Sequence, residues 1–266
     1  MASYLITGAS RGLGLAMAKG LLSKPASKVA VVFVIARQIT PALEGLAHTY
    51  PQRLVILLAD VTDEKSIQKA ALQVESTLNG PGLDFLINNA GTFPFSDGIE
   101  MMYEATLCKF LPDILGDDLM DTLKVNVNSV HLVNKTFLPL LRKGQKKTVM
   151  SLSAAMGSIT RAAEFMFQDT PGYKISKAAM NMLMRQYSLY LEKEGFIFFS
   201  ICPGWTQTEM GTSAANLTID QSVTGLLNKL ESVTVGDNGK FFDNDVPSWT
   251  WTSGPKNLYD GKEIPY

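Results

Sequence analysis

The sequence predicts a single α/β domain built on a doubly wound parallel sheet of about seven strands. Two observations lead there. Short β-branched or apolar runs alternate along the chain with longer amphipathic stretches, the pattern that a parallel sheet with crossover helices requires. Of the 266 residues, 46% are hydrophobic and 18% charged, which gives enough apolar material for a sizeable core and too little charge for a disordered chain. No internal repeat, low-complexity tract or linker divides the chain, so residues 1–266 read as one domain.

The expected strands, in order, are residues 4–7, 29–36, 54–59, 83–87, 148–152, 197–202 and 240–242. The second is the most continuous apolar run, eight residues between Lys28 and Arg37, and is far too short to cross a membrane. Between strands, Thr40 and Pro41 read as the cap and first residue of a short helix that stops before Pro51. Ile67, Ala70, Ala71, Val74 and Leu78 recur at helical spacing ahead of the breaker Asn79-Gly80-Pro81-Gly82. Thr218 and Gln221 form a capping box before Val223, Leu226, Leu227 and Leu230. Two stretches break the rhythm: an insertion at about 92–119, and a tail at 244–266 that should be ordered by docking near the substrate side or a subunit contact.

Composition narrows the function. With 24 basic and 25 acidic residues and a net charge of -1, no field of one sign exists to recruit nucleic acid or an anionic membrane, so a small molecule is the expected partner. Cys108, Cys202, His48 and His131 lie far apart in sequence, which argues against a disulfide framework or a metal site. The first residues lack the basic start and long apolar stretch of a signal peptide, and a cytoplasmic location is expected.

The first chemical signal is Thr7-Gly8-Ala9-Ser10-Arg11-Gly12-Leu13-Gly14, placed between a strand and a helix. There Gly8 permits the tight turn, Gly12 lets the backbone approach a pyrophosphate, and Gly14 lets helix and strand pack closely. Gly8, Ser10, Arg11, Gly12, Leu13 and Gly14 therefore form the expected dinucleotide cradle of a Rossmann fold, with the phosphates on the helix N-terminus. The second strand ends Ile35-Ala36-Arg37-Gln38, without the acid that holds a free ribose hydroxyl, while Arg37 and Arg11 offer planar forks for a 2′-phosphate. The expected cofactor is NADP(H).

Asn88-Asn89-Ala90-Gly91 after the fourth strand, Tyr173-Lys174-Ile175-Ser176-Lys177 opening a helix after the fifth, and Pro203-Gly204 after the sixth follow the glycine loop in one order. Together they resemble the short-chain dehydrogenase/reductase family over nearly the whole chain. Gly239-Lys240-Phe241-Phe242 and Tyr259-Asp260-Gly261-Lys262 are similar to the subgroup of C-factor-like and sniffer-like carbonyl reductases. The resemblance implies strand order 3-2-1-4-5-6-7, adenine beside Asp60 and Val61, and the adenosine ribose against Asn88, Ala90 and Gly91. It further implies a nicotinamide flanked by Pro203, Gly204, Thr206 and Thr208, and a homodimer or homotetramer joined through the helices after strands four and five.

Tyr173 and Lys177, four residues apart, share one helix face. A tyrosine of ordinary pKa, about 10, is a poor acid–base catalyst at neutral pH, and a neighbouring ammonium together with an oxidised nicotinamide should lower that value. Tyr173 is thus expected to donate a proton to a carbonyl oxygen, and Lys177 to bind the nicotinamide ribose as well. The resemblance adds a carbonyl-polarising serine and a structural asparagine. In Ser151-Leu152-Ser153-Ala154-Ala155-Met156-Gly157 the usual spacing to glycine falls on Ala154, and Ser153 is chosen over the deeper Ser151. Asn126 fits the asparagine, with Asn128 as fallback. Catalytic roles therefore fall to Asn126, Ser153, Tyr173 and Lys177. Phe93, Phe95 and Trp205 are the expected substrate residues, with Phe165, Met166 and Phe167 on an insertion within 158–170 adding to an apolar pocket. The expected activity is NADPH-dependent reduction of a ketone or aldehyde, or the reverse oxidation. A pocket guiding a non-redox isomerisation or cyclisation, and a non-catalytic NADP(H)-sensing protein, are the alternatives.

Overall fold

Seven strands, β1 (Ala2–Thr7), β2 (Val29–Ala36), β3 (Leu54–Leu58), β4 (Phe85–Asn88), β5 (Thr148–Leu152), β6 (Ile197–Ile201) and β7 (Phe241–Phe242), form one all-parallel sheet in the order β3-β2-β1-β4-β5-β6-β7. This is the expected order and fold class. The structure is a computed structural model and describes residues 1–93, 116–166, 170–250 and 258–266. The helices described are α1 (Gly12–Leu22), α2 (Pro41–Thr49), α3 (Glu64–Leu78), α4 (Gly116–Leu123), α5 (Ser129–Lys143), α6 (Pro171–Leu191) and α7 (Ile219–Ser232). None of the described helices is long and apolar enough to cross a membrane.

Both sheet faces are covered, which is why the central strands are apolar without alternation. On one face Met17, Leu21, Leu43, Leu226 and Leu227 of α1, α2 and α7 pack on Ile6, Val34, Ile87 and Phe199. On the other, Ile67, Val133, Phe137, Met180 and Met184 of α3, α5 and α6 pack on Leu5, Phe33, Leu86 and Phe198. The predicted caps are present: Thr40 accepts from the Leu43 N–H, Thr218 and Gln221 close a full capping box, and Asn79 ends α3 in the left-handed region at φ 48°.

Strand ends shift by one or two residues from expectation. The largest shift is at β4, where the Leu83 N–H donates to Leu140 O at 3.0 Å and is thereby tied to α5 instead of the sheet. Among its described residues the tail carries no helix or strand of its own and docks through bridges of Phe242 to Glu263 and Asp245 to Asp260. The expected insertion at 92–119 ends inside α4, and its residues 94–115 lie outside the described residues.

Candidate active site

The chain reverses its order of crossing between β1 and β4, so the loops after these two strands lie side by side at the carboxyl edge of the sheet, where open α/β folds bind ligands. They are locked together. Thr7 Oγ1 accepts from the N–H groups of Asn89 and Ala90, both at 3.0 Å, while Asn89 Nδ2 donates to Thr7 O at 2.8 Å and Gly8 O at 3.0 Å. Gly8 turns at φ +69°, and a Cβ there would stand 2.8 Å from Ala90 Cα, so both conformation and space demand glycine. Thr7 and Asn89 thus belong to the site as well, although in sequence only their place beside the glycines marks them.

Arg11 caps α1 in extended backbone with no side-chain cap, and the first turn carries no acid. The N–H groups there are left for an anion, as a pyrophosphate needs. Gly12, at φ +56°, faces Thr208, whose Cγ2 would lie 3.6 Å from a Cβ at that position. The loop after β6 therefore meets the glycine loop, with Thr208 beside Gly12. Arg37 is exposed at the end of β2, and its charge helps hold the Asp60 carboxyl below its ordinary range, behind the larger effect of the Thr62 backbone N–H. Thr40 Oγ1 donates to Ser10 O at 2.7 Å and ties the loop after β2 to the glycine loop. Arg11 is not idle: it pairs with Glu209 at 2.8 Å, a contact the sequence reading did not foresee.

Asn126 sits in a π-helical turn, Lys124–Asn128, between α4 and α5. It is 1% exposed; its Oδ1 accepts from Thr92 N at 2.8 Å, and its Nδ2 donates to Thr92 O at 2.9 Å and Ser176 Oγ at 3.0 Å. Asn126 thus joins the loop after β4 to α6, between Tyr173 and Lys177. Asn128, the fallback, is exposed. Lys177 is buried and donates to Leu152 O at 2.8 Å, with its Nζ 5.5 Å from the Tyr173 ring centroid. The Phe93 and Tyr173 rings lie 4.6 Å apart and tilted by 53°.

Burial pushes the Tyr173 phenol above its ordinary value in the cofactor-free chain, whereas the expected lowering includes the charge of an oxidised nicotinamide. Burial lowers Lys177 to about 8 by the same cause with the opposite sign, since its charged form is the cation. At Lys177 the folded chain then binds fewer protons than the unfolded one between about pH 8 and the ordinary lysine value of 10.5. The contribution of Lys177 to stability should therefore rise with pH across that window, against the opposite contribution of the buried Cys202 thiol, which burial pushes up from 9.0 to about 12. Lys177→Met should lack about 3 kcal/mol of that rise, an order-of-magnitude figure from the shift. Denaturant unfolding of both proteins at the two ends of the window measures the difference, and parallel curves would reject the burial account.

Ser153 and Ser151 separate cleanly. Ser151 is fully buried, accepts from Asn88 Nδ2 at 3.0 Å and lies against Met184. Ser153 lies at the strand's end with its Oγ buried and without a hydrogen-bond partner among the described residues. An orphaned hydroxyl beside Leu152, whose carbonyl holds Lys177, fits a group awaiting a ligand. On the loop after β6, Thr206 is buried, Trp205 donates through Nε1 to Gly211 O at 2.7 Å, and Pro203 O accepts from Ser222 Oγ at 2.7 Å. Gly204, at φ +81°, leaves room for Leu217 and Tyr259, a packing reason independent of any ligand. Phe165 is not at an open pocket: it is buried with Ala155, Cys202, Phe241 and Ile264. Met166 is exposed, and Phe95 and Phe167 lie outside the described residues.

Comparison with known proteins agrees with this architecture. A family model described as short chain dehydrogenase matches residues 3–217. A short-chain dehydrogenase/reductase of Aspergillus aculeatus, AacuF, is 37% identical over 206 residues, covering 77% of this chain and 74% of its own. The carbonyl reductase Sniffer of D. melanogaster superposes over 100% of both chains with a TM-score of 0.83 at 28% identity. An NADPH-bound carbonyl reductase from chicken fatty liver does so over 100% of this chain and 94% of its own, with a TM-score of 0.82 at 28% identity.

Proposed function

The chain belongs to the short-chain dehydrogenases, and on that premise we propose that it is an NADP(H)-dependent oxidoreductase acting on a ketone or aldehyde, or the corresponding alcohol, of a largely apolar small molecule. The observation that carries the reading is the buried Tyr173–Lys177 pair at the carboxyl edge of the sheet, tied by Asn126 to the loop after β4. The dinucleotide, when bound, supplies or accepts the hydride. Tyr173 donates the proton to the carbonyl oxygen, Ser153 Oγ polarises that oxygen, and Lys177 holds the nicotinamide ribose with the N–H bonds not given to Leu152. Asn126 keeps the loop and helix in register.

Support for NADP(H) comes from Arg37, exposed at the end of β2 where no acid stands, and from the NADPH that the chicken enzyme carries. Gly8, Ser10, Gly12, Leu13 and Gly14 would cradle the pyrophosphate, with Arg37 and Arg11 on the 2′-phosphate and Asp60 and Val61 beside the adenine. Asn88, Ala90 and Gly91 would back the adenosine ribose, and Pro203, Gly204, Thr206 and Thr208 the nicotinamide. Titrating NADPH and NADH by fluorescence, then following NADPH absorbance against a panel of carbonyl compounds, tests the reading. Tight binding without oxidation of NADPH by any compound would instead favour the sensing or isomerising alternative.

Phe93, against the Tyr173 ring, and Trp205, on the loop after β6, are the proposed substrate residues. Phe93→Ala should change the ranking of kcat/KM across the panel by about tenfold for bulky aromatic carbonyls while NADPH affinity holds. An unchanged ranking would remove Phe93 from the pocket. A homodimer or homotetramer is also proposed, because α5 and α6 leave an apolar groove lined by His131, Leu138, Leu183 and Tyr187, with Tyr190 82% exposed at its side. Sedimentation at micromolar concentration should give a multiple of 29.0 kDa, and a monomer would reject it.

A further inference from the structure

Residues 155–166, which lead from Ser153 toward Tyr173, are fastened from outside by residues 264–266. Ser158 Oγ donates to Pro265 O, and Thr160 donates to Tyr266 O through its N–H at 3.1 Å and through its hydroxyl. Tyr266 is itself anchored: its hydroxyl donates to Gly239 O at 2.7 Å, its ring lies 6.0 Å from that of Phe241, and burial pushes its phenol up to about 12. Ile264, 3% exposed, donates its N–H to Phe241 O at 2.7 Å and packs with Ala155, Phe165 and Cys202. This cluster is linked to the catalytic pair at two points. Phe165 O accepts from Lys174 Nζ at 2.7 Å, one residue from Tyr173, and Cys202 is close enough to act electrostatically on both Tyr173 and Lys177.

We infer that Tyr266 is a positioning residue for the substrate side of the site: held on Phe241 and Gly239, it fixes residues 155–166 and thereby the fit of the carbonyl compound against Tyr173. Among the described residues none of its contacts reaches the glycine loop, so the dinucleotide half should not feel it. The inference rests on the oxidoreductase reading for its kinetic consequence, but its structural consequence can be measured without activity.

The test uses the full chain with Tyr266→Ala, Tyr266→Phe and Ser158→Ala. Tyr266→Ala should raise KM for carbonyl substrates about threefold or more and reorder the panel, with kcat changed less and NADPH affinity within about twofold. Tyr266→Phe keeps the ring on Phe241 and should rescue most of the loss. Hydrogen exchange should quicken in residues 155–166 of Tyr266→Ala and stay unchanged in β1 and α1. Unchanged KM, ranking and exchange would overturn the inference, as would an equal loss of NADPH affinity, which would mark a general structural role. Should Tyr266→Ala fail to fold, Ser158→Ala decides: it removes the hydroxyl bond to Pro265 O together with the one that Ser158 Oγ accepts from the Arg161 N–H at 3.1 Å, and should move KM and exchange in the same direction, while no movement in either refutes the assignment. A wild type that oxidises NADPH with no carbonyl compound sinks the oxidoreductase reading, and exchange in 155–166 still decides the role of Tyr266.

Discussion

Tyr173→Phe should lower kcat by about 10²- to 10⁴-fold while leaving NADPH affinity within about twofold. The substitution removes one oxygen. The ring keeps its place against Phe93, and Lys177 keeps its bond to Leu152 O, so the binding surface survives while the proton donor is lost. Because burial raises the phenol above its ordinary value in this structure, Tyr173 is protonated at neutral pH, the form required to reduce a carbonyl. For the reverse oxidation the phenol must lose its proton, and the ammonium of Lys177 and the charge of an oxidised nicotinamide then have to offset burial. Alcohol oxidation should accordingly favour higher pH than carbonyl reduction. A variant that keeps more than about a tenth of wild-type turnover would remove Tyr173 from the chemistry.

Arg37→Asp carries the second large effect, a loss of NADPH affinity of about 10²-fold with NADH affinity unchanged or improved. A charge-assisted bond to phosphate is lost and a repulsive carboxylate takes its place, while the same carboxylate can accept from free ribose hydroxyls. Arg37 should matter more than Arg11, because Arg11 must give up or share Glu209 to reach the phosphate whereas Arg37 makes no ion pair among the described residues. Arg11→Ala is therefore expected to cost less. Titration of both cofactors into wild type and variants measures this, and a wild type that prefers NADH contradicts it.

The parallel sheet and the two caps at Thr40 and Thr218 were legible because each rests on local pattern, apolar runs buried on two faces and hydroxyls ahead of helical periodicity, whereas the strand order came through the family resemblance alone. Spacing alone brought Tyr173 and Lys177 to one face of α6, since a helix sets that relation without help from the rest of the fold. What depended on distant partners could not be read. Asn89 looks like any polar residue after a strand, yet it bonds to two carbonyls of the glycine loop more than 80 positions away. Glu209 reads as a solvated charge until the loop after β6 carries it to Arg11. Phe165 looked like a pocket residue because an insertion suggests exposure, whereas Ile264 and Phe241 bury it. The depth of burial at Tyr173 was hidden for a related reason: sequence shows a neighbouring ammonium but not the desolvation that raises the phenol in the cofactor-free chain.

The most direct measurement follows the hydride. NADPH dideuterated at nicotinamide C4 should be incubated with wild-type protein and the best carbonyl compound of the panel, and the alcohol analysed by mass spectrometry. The account predicts one deuterium on the carbinol carbon, formed in step with loss of NADPH absorbance and lost with Tyr173→Phe. An alcohol or isomer formed without deuterium, or NADPH bound and never consumed, would contradict it.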